Sequence, residues 1–78
     1  MKAVFVQIKC DLGKSYPVAT AIADAEIASE IYSTAGNYDL MVKLYLEDNE
    51  DTGRFISEKL QVIPGIKDTT TIITFRAF

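Results

Sequence analysis

The chain has 78 residues, of which 8 are Lys or Arg and 11 are Asp or Glu, with one Cys and no His. This length predicts one domain over residues 1–78, and a folded chain of this size buries only about 60% of its surface. A single Cys excludes an internal disulfide, and the lack of His nearly excludes structural zinc, which takes four Cys or His ligands. Oligomerisation is therefore the remaining route to comfortable stability.

Charge and residue types exclude several function classes. A net charge of −3, with basic residues scattered singly, argues against nucleic-acid binding, which needs a basic face. Without His, neither a Ser-His-Asp nor a Cys-His arrangement can form. No apolar run is long enough for a membrane span, and no signal peptide is readable. We expect a cytoplasmic domain that is not an enzyme and uses no metal or cofactor.

The first half of the chain predicts a strand, a helix and a strand. Lys2 to Lys9 is rich in β-branched and aromatic residues. A turn at 11–14 is followed by Ser15, a candidate helix N-cap, with Pro17 tolerated in the first turn. Apolar residues at helical spacing continue to about residue 25. Residues 26–34 return to strand character.

The second half repeats this order. Ala35-Gly36-Asn37 predicts a turn, and Tyr38 to Leu46 is the clearest strand. The acidic run 47–51 follows, with Asn49 as a candidate cap for the next helix. The apolar stripe of that helix is formed by Phe55, Ile56, Leu60 and Ile63.

Pro64-Gly65 ends the second helix, and residues 69–78 predict the last strand. Two consecutive β-α-β units of under forty residues each predict an α+β, ferredoxin-like βαββαβ fold. We expect a four-stranded antiparallel sheet with both helices on one face.

The other face of this sheet is predicted to be apolar. A bare antiparallel sheet alternates apolar with polar residues, yet several large apolar side chains fall on the side away from the helices. Such a patch on a monomer usually marks an interface. We therefore expect dimerisation through the sheets, with these interface residues: Phe5, Met41, Tyr45 and Ile72.

Two segments hold the candidate binding residues. Asp39 opens a strongly hydrophobic strand, where Asp is disfavoured. Its carboxylate either accepts N–H groups of the turn or is free for a ligand ammonium. Thr69-Thr70-Thr71 either reflects ordinary β-propensity or offers hydroxyl donors to a carboxylate. If strands three and four flank strand one, the two segments approach a common rim.

Two other candidates have simpler explanations. An EF-hand laid from Asp48 fails, because its twelfth position is Lys59 where a bidentate Glu is required. Cys10 has no His to lower its pKa and is interpreted as a small, partly buried hydrophobic residue.

At the two segments the chain resembles the effector-binding (RAM) domain of the Lrp/AsnC transcriptional regulators. The matching stretches are Ser33-Thr34-Ala35-Gly36-Asn37-Tyr38-Asp39-Leu40 and Ile63-Pro64-Gly65-Ile66-Lys67-Asp68-Thr69-Thr70-Thr71. The resemblance covers nearly the whole chain. It implies a ferredoxin-like protomer that dimerises through its sheet as a dimeric α+β barrel, assembles into an octamer-like ring, and binds amino acids between dimers.

The resemblance also implies roles for individual residues. Asp39 would meet the ligand ammonium, while backbone N–H groups of the turn or the hydroxyls of Thr69 and Thr71 would meet its carboxylate. Tyr38 would wall the side-chain pocket. The ligand-binding residues implied are Gly36, Asn37, Tyr38, Asp39, Thr69, Thr70, Thr71 and Ile72.

One departure from the family pattern shapes the functional expectation. Met1 directly precedes the first strand, so we expect no helix-turn-helix domain and no direct DNA binding. The chain is then a stand-alone amino-acid sensor that can co-assemble with a full-length Lrp/AsnC regulator. The alternative is an assembly or adaptor protein that needs no ligand. A small monooxygenase of the related barrel type is disfavoured by the lack of His.

Overall fold

The computed structural model describes residues 1–78 and has the predicted order of elements. The sheet order is β2-β3-β1-β4, and every neighbouring pair is antiparallel. The chain therefore has the ferredoxin-like α+β fold, with β3 and β4 on either side of β1. The elements are β1 (Lys2–Cys10), α1 (Ser15–Asp24), β2 (Glu30–Ser33), β3 (Leu40–Leu46), α2 (Thr52–Phe55, continued by a π-helical turn over Ile56–Leu60) and β4 (Ile66–Ile73).

The core lies between one face of the sheet and both helices. Alternate residues of β1 and β3 are buried there because successive side chains of a strand point to opposite faces. α1 contributes Val18 and Ile22, and α2 with its π-helical turn contributes Ile56 and Leu60. The strand residues of this core are Val4, Val6, Ile8, Cys10, Leu40, Val42, Leu44 and Leu46.

Two predicted boundaries in the first half are wrong. Ser15 is the first helical residue, and the N-cap is Lys14, which makes no side-chain capping bond. β2 begins at Glu30 rather than 26, because Glu26 has a φ of 56° that ends α1 in a left-handed turn. Backbone pairing with β3 starts only where the N–H of Ser29 donates to the carbonyl of Lys43 at 2.8 Å.

The second helix also begins later and is less regular than predicted. Its N-cap is Asp51, whose side chain accepts from the N–H of Arg54 at 3.0 Å, so Asn49 does not cap it. One α-helical turn then widens into a π-helical turn that places Leu60 in the core. No helix in the structure has both the length and the apolar character needed to cross a membrane.

The ends of β3 and β4, the strands that flank β1, differ from the predicted ones. β3 begins at Leu40, two residues after the predicted start. β4 spans Ile66–Ile73 rather than 69–78, since pairing with β1 starts at once after the Pro64-Gly65 stop and ends where Ile73 meets Val4. The residues after β4 leave the sheet, and the side chains of Phe75 and Phe78 are fully exposed.

Candidate functional site

The loop between β2 and β3 is closed by backbone and hydroxyl bonds. The Thr34 hydroxyl donates to the carbonyl of Tyr38 at 2.9 Å, and the Thr34 N–H donates to the carbonyl of Asp39 at 2.9 Å. Gly36 sits at the tip with a φ of 101°, a conformation that glycine adopts without strain. The ammonium of Lys9 donates to the Asn37 carbonyl at 3.1 Å and fastens the loop to β1.

Asp39 is attached to β1 through both its backbone and its side chain. Its N–H donates to the Ile8 carbonyl at 2.8 Å, and its Oδ2 accepts from the N–H of Cys10 at 2.7 Å. The β1–β4 register shifts between Lys9 and Cys10, and the carboxylate binds the amide at this irregularity. Asp39 thus accepts a backbone N–H, as one of the two interpretations held, but from β1 rather than from the turn.

The second oxygen of that carboxylate has no partner. Oδ1 of Asp39 makes no hydrogen bond or ion pair within the chain, and the residue is half-buried. A carboxylate has lone pairs on both oxygens, so this atom is available to an ammonium group.

Two clefts meet at Asp39 and at Ser15 in the first turn of α1. One, of about 430 Å³ and called the apolar cleft below, is lined by eight residues, of which four are hydrophobic and include Tyr16, Ala19 and Ile31. The other, of about 360 Å³ and called the charged cleft below, is also lined by Lys9, Cys10, Asp11, Leu12, Gly13 and Lys67. The reasoning from sequence did not identify Ser15, Tyr16 or Lys67 as lining residues, since no local pattern shows that α1 begins beside the start of β3.

Cys10 lines the charged cleft and has a thiol whose pKa is raised. Burial, together with the nearby Asp39 and Asp11, raises the pKa of its thiol, and a hydrogen bond with Ser15 only partly opposes this. Cys10 is one of the buried core residues, in agreement with its interpretation as a small hydrophobic residue.

The three threonines in the middle of β4 are divided between the two faces of the sheet. Thr69 and Thr71 pair with the core residues Ile8 and Val6, whereas Thr70 pairs with Gln7 on the face of the sheet that carries no helices, called the open face below. The hydroxyl of Thr69 accepts from the side-chain amide of Gln61 at 2.8 Å. The three consecutive hydroxyls therefore do not form one cluster.

The structure joins the two predicted segments at one contact. The hydroxyl oxygens of Tyr38 and Thr70 lie 2.6 Å apart across β1 on the open face. Asp39, the next residue along the chain, instead lies beside the first turn of α1. Tyr38 and Asp39 thus belong to different surfaces of one protomer.

The four predicted interface residues do lie together on the face without helices. Phe5 is directly opposite Ile72 on one side, while Met41 and Tyr45 follow the same face of β3. Tyr45 is 47% exposed and Ile72 is 38% exposed, with Tyr32 of β2 beside them at 57%. The apolar and aromatic part of the open face therefore consists of Phe5, Met41, Tyr45, Ile72 and Tyr32.

The family of the chain is decided by comparison over nearly its whole length. A model of the Lrp/AsnC ligand-binding domain matches residues 3–78. The chain belongs to the Lrp/AsnC family. Among curated proteins, this Lrp/AsnC domain is 33% identical over 72 residues to the HTH-type transcriptional regulator FL11 of Pyrococcus abyssi. The match covers 92% of the chain and 47% of FL11, so the chain spans about half the length of this relative.

Several solved structures have the same fold as the chain. TTHA0845 from Thermus thermophilus superposes on the Lrp/AsnC domain with a TM-score of 0.89 at 29% identity, covering 100% of this chain and 98% of that one. FFRP-DM1 superposes with a TM-score of 0.87 at 31% identity, covering 96% and 100%. E. coli AsnC is 26% identical with a TM-score of 0.81, covering 96% of this chain and 51% of its own.

Proposed function

We propose that this Lrp/AsnC domain, a regulatory ligand-binding module, senses an α-amino acid at an oligomer interface. We further propose that it acts in the cytoplasm as a single domain, either alone or by co-assembling with a full-length Lrp/AsnC regulator. We do not propose that this domain itself contacts DNA. That the chain is a regulatory ligand-binding domain follows from its family membership. That the ligand is an amino acid, and that it binds at an oligomer interface, is what we propose.

The observation that carries the proposal is the half-satisfied carboxylate of Asp39. One oxygen is held by the N–H of Cys10, which orients the group, and the other has no partner. An ammonium group is the natural ligand for an oriented carboxylate, because a charge-assisted hydrogen bond is about twice as strong as a neutral one. The solved Neisseria meningitidis regulator NMB0573, which shares the fold at 12% identity, is an L-Met complex.

The surroundings of Asp39 suit the rest of an amino acid. The charged cleft offers Lys67, whose ammonium makes no ion pair in the chain, as a partner for an α-carboxylate. The apolar cleft, lined in part by Tyr16, Ala19 and Ile31, offers room for a side chain. Neither cleft is fully enclosed by the chain, so a neighbouring protomer can complete the site.

The assembly part of the proposal depends on the open face. Packing two such faces together removes several exposed aromatic and aliphatic side chains from water, at roughly 25 cal/mol per Å² of apolar surface. We propose that dimers formed in this way associate further into a ring. In this ring the Gly36 to Asp39 loop of one dimer would meet the edge strand β4 of another dimer near Thr70.

The test is a thermal-unfolding series with each common amino acid at millimolar concentration. A ligand at about a hundred times its dissociation constant adds about 2.7 kcal/mol, which for a domain of this size raises the melting temperature by several degrees. Asp39→Asn should abolish that rise, whereas the control Asp24→Asn, at the far end of α1, should retain it. A rise that survives in Asp39→Asn would refute the assignment of Asp39.

A ligand-independent adaptor is the second candidate, favoured by the open face. This function predicts the same oligomer with no response to any amino acid, together with capture of a full-length Lrp/AsnC regulator mixed with the chain. The thermal series therefore separates the two functions in one experiment.

A further inference from the structure

A lysine lies in the middle of the open face. Lys43 is the fourth of the seven residues of β3, an interior strand of the sheet. It pairs with Phe5 of β1 on one side and with Glu30 of β2 on the other. Anything that covers the open face must also cover this ammonium group.

The charge of Lys43 is already compensated within its own sheet. Its Nζ lies 3.5 Å from Oε2 of Glu30. It also lies 5.0 Å from the ring centroid of Tyr45 and 5.7 Å from that of Phe5, within the range of cation–π attraction. The hydroxyl of Tyr32 donates to the other oxygen of Glu30 at 2.5 Å, which holds the carboxylate in place.

This compensation determines which partner suits the face. A buried charge is costly unless it is paired and hydrogen-bonded. In a two-fold interface the same patch is buried on both copies, so an uncompensated Lys43 would bury two unpaired ammonium groups. An acidic partner has little to gain, because the cation is already paired with Glu30.

We propose that Glu30 is the residue that allows Lys43 to be covered when a second copy of this chain packs on the open face. This inference rests on the sheet-to-sheet dimer of the proposed function and adds its charge requirement. Glu30 is a positioning residue of the interface. It lies on the edge strand β2, where its side chain is 42% exposed, whereas that of Lys43 is 25% exposed.

Lys43 lies on an interior strand and Glu30 on an edge strand, so substitutions of the two residues should affect the dimer differently. In Glu30→Gln the central ammonium loses its partner, and we expect the dimer dissociation constant to rise at least about tenfold. In Lys43→Met the edge carboxylate can turn to solvent, so the dimer should be at least as tight as the wild type. The double variant Glu30→Gln/Lys43→Met should recover the wild-type constant to within about threefold.

Sedimentation equilibrium over a concentration series measures these constants, and circular dichroism confirms that each variant is folded. The matched control is Glu58→Gln, which breaks the exposed Arg54–Glu58 ion pair of 3.0 Å away from the open face and should leave the dimer unchanged.

Each result has a definite meaning. A tenfold loss in Glu30→Gln that the double variant reverses supports the inference. A wild-type dimer with an unaffected Glu30→Gln variant, or a loss that the double variant does not reverse, overturns this inference and leaves the proposed dimer standing. A wild-type chain that stays monomeric at every concentration overturns both.

Discussion

Oδ2 of Asp39 accepts a hydrogen bond of 2.7 Å from the backbone N–H of Cys10, a residue 29 positions earlier in the chain. The bond explains why an acidic residue opens a hydrophobic strand. Where β1 shifts register against β4, the carboxylate supplies an acceptor for the amide of Cys10. The same bond fixes the direction of the oxygen that remains free, so the structural role and the proposed ligand role are compatible.

Asp39 substitutions should separate these two roles. Asp39→Asn keeps an oxygen that can accept from Cys10, so the free energy of unfolding should fall by less than about 1 kcal/mol while the response to ligand is lost. Asp39→Ala leaves that amide unpaired and should cost about 1–3 kcal/mol. Urea unfolding of both variants measures the difference. Equal destabilisation by the two substitutions would contradict a structural role for the hydrogen bond.

The Tyr38–Thr70 contact predicts a coupling between the loop and β4. The two hydroxyl oxygens are 2.6 Å apart but exposed. We expect Tyr38→Phe and Thr70→Val each to lower the free energy of unfolding by about 0.5–1.5 kcal/mol. The double variant should lose less than the sum, because both changes remove the same bond. Strictly additive losses would show that the two hydroxyls do not interact in solution.

Gly65 is predicted to be intolerant of a side chain. It has a φ of 97°, and a Cβ there would lie 2.9 Å from Cγ2 of Val18 and 3.2 Å from Cβ of Lys14. Gly65→Ala should therefore cost about 1–3 kcal/mol. The control is Gly53→Ala in α2, where a Cβ makes only an ordinary contact of 3.6 Å with Asp51. That variant should gain about 0.5–1 kcal/mol from helix propensity, and thermal unfolding measures both.

Glu30 gives a prediction about pH. The hydrogen bond from Tyr32, assisted by the charge of Lys43, lowers the pKa of the Glu30 carboxyl from its ordinary value. Because the pKa is lower in the folded chain, the stabilisation is present above the unfolded pKa and is lost as the pH falls through the folded one. Carboxyl carbon shifts in an NMR titration should show a higher pKa for Glu30 in Tyr32→Phe. An unchanged value would mean that the hydroxyl does not bind this carboxylate.

Local patterns predicted the elements that have clear periodicity and clear punctuation. The alternation along β1 and β3 and the helical spacing of Val18 and Ile22 each act over a few residues, so they are readable in the chain itself. The end predicted for the second helix at Pro64-Gly65 is wrong, because the helix already ends at Leu60 and Ile63 lies beyond it. Element ends were less accurate. The start of β2 and the end of β4 depend on where a partner strand is available, which residues distant in sequence decide.

The candidate site was predicted only in part for the same reason. The sequence indicated Tyr38, Asp39 and Thr70, but it could not show that Tyr38 reaches Thr70 across β1 while Asp39 lies beside α1. Ser15 and Lys67 joined the site only through the packing of α1 and β4 around the end of β1.

The sequence by itself determined the fold class, the apolar character of both faces of the sheet and the absence of an internal disulfide, because these depend on residue type and period. The tertiary structure alone decided which polar groups find partners. A hydrogen bond needs its two heavy atoms within about 3 Å of each other. Only the folded sheet brings the polar atoms of distant residues to such distances, as in the pairs Asp39 with Cys10, Tyr38 with Thr70 and, at 3.5 Å, Lys43 with Glu30.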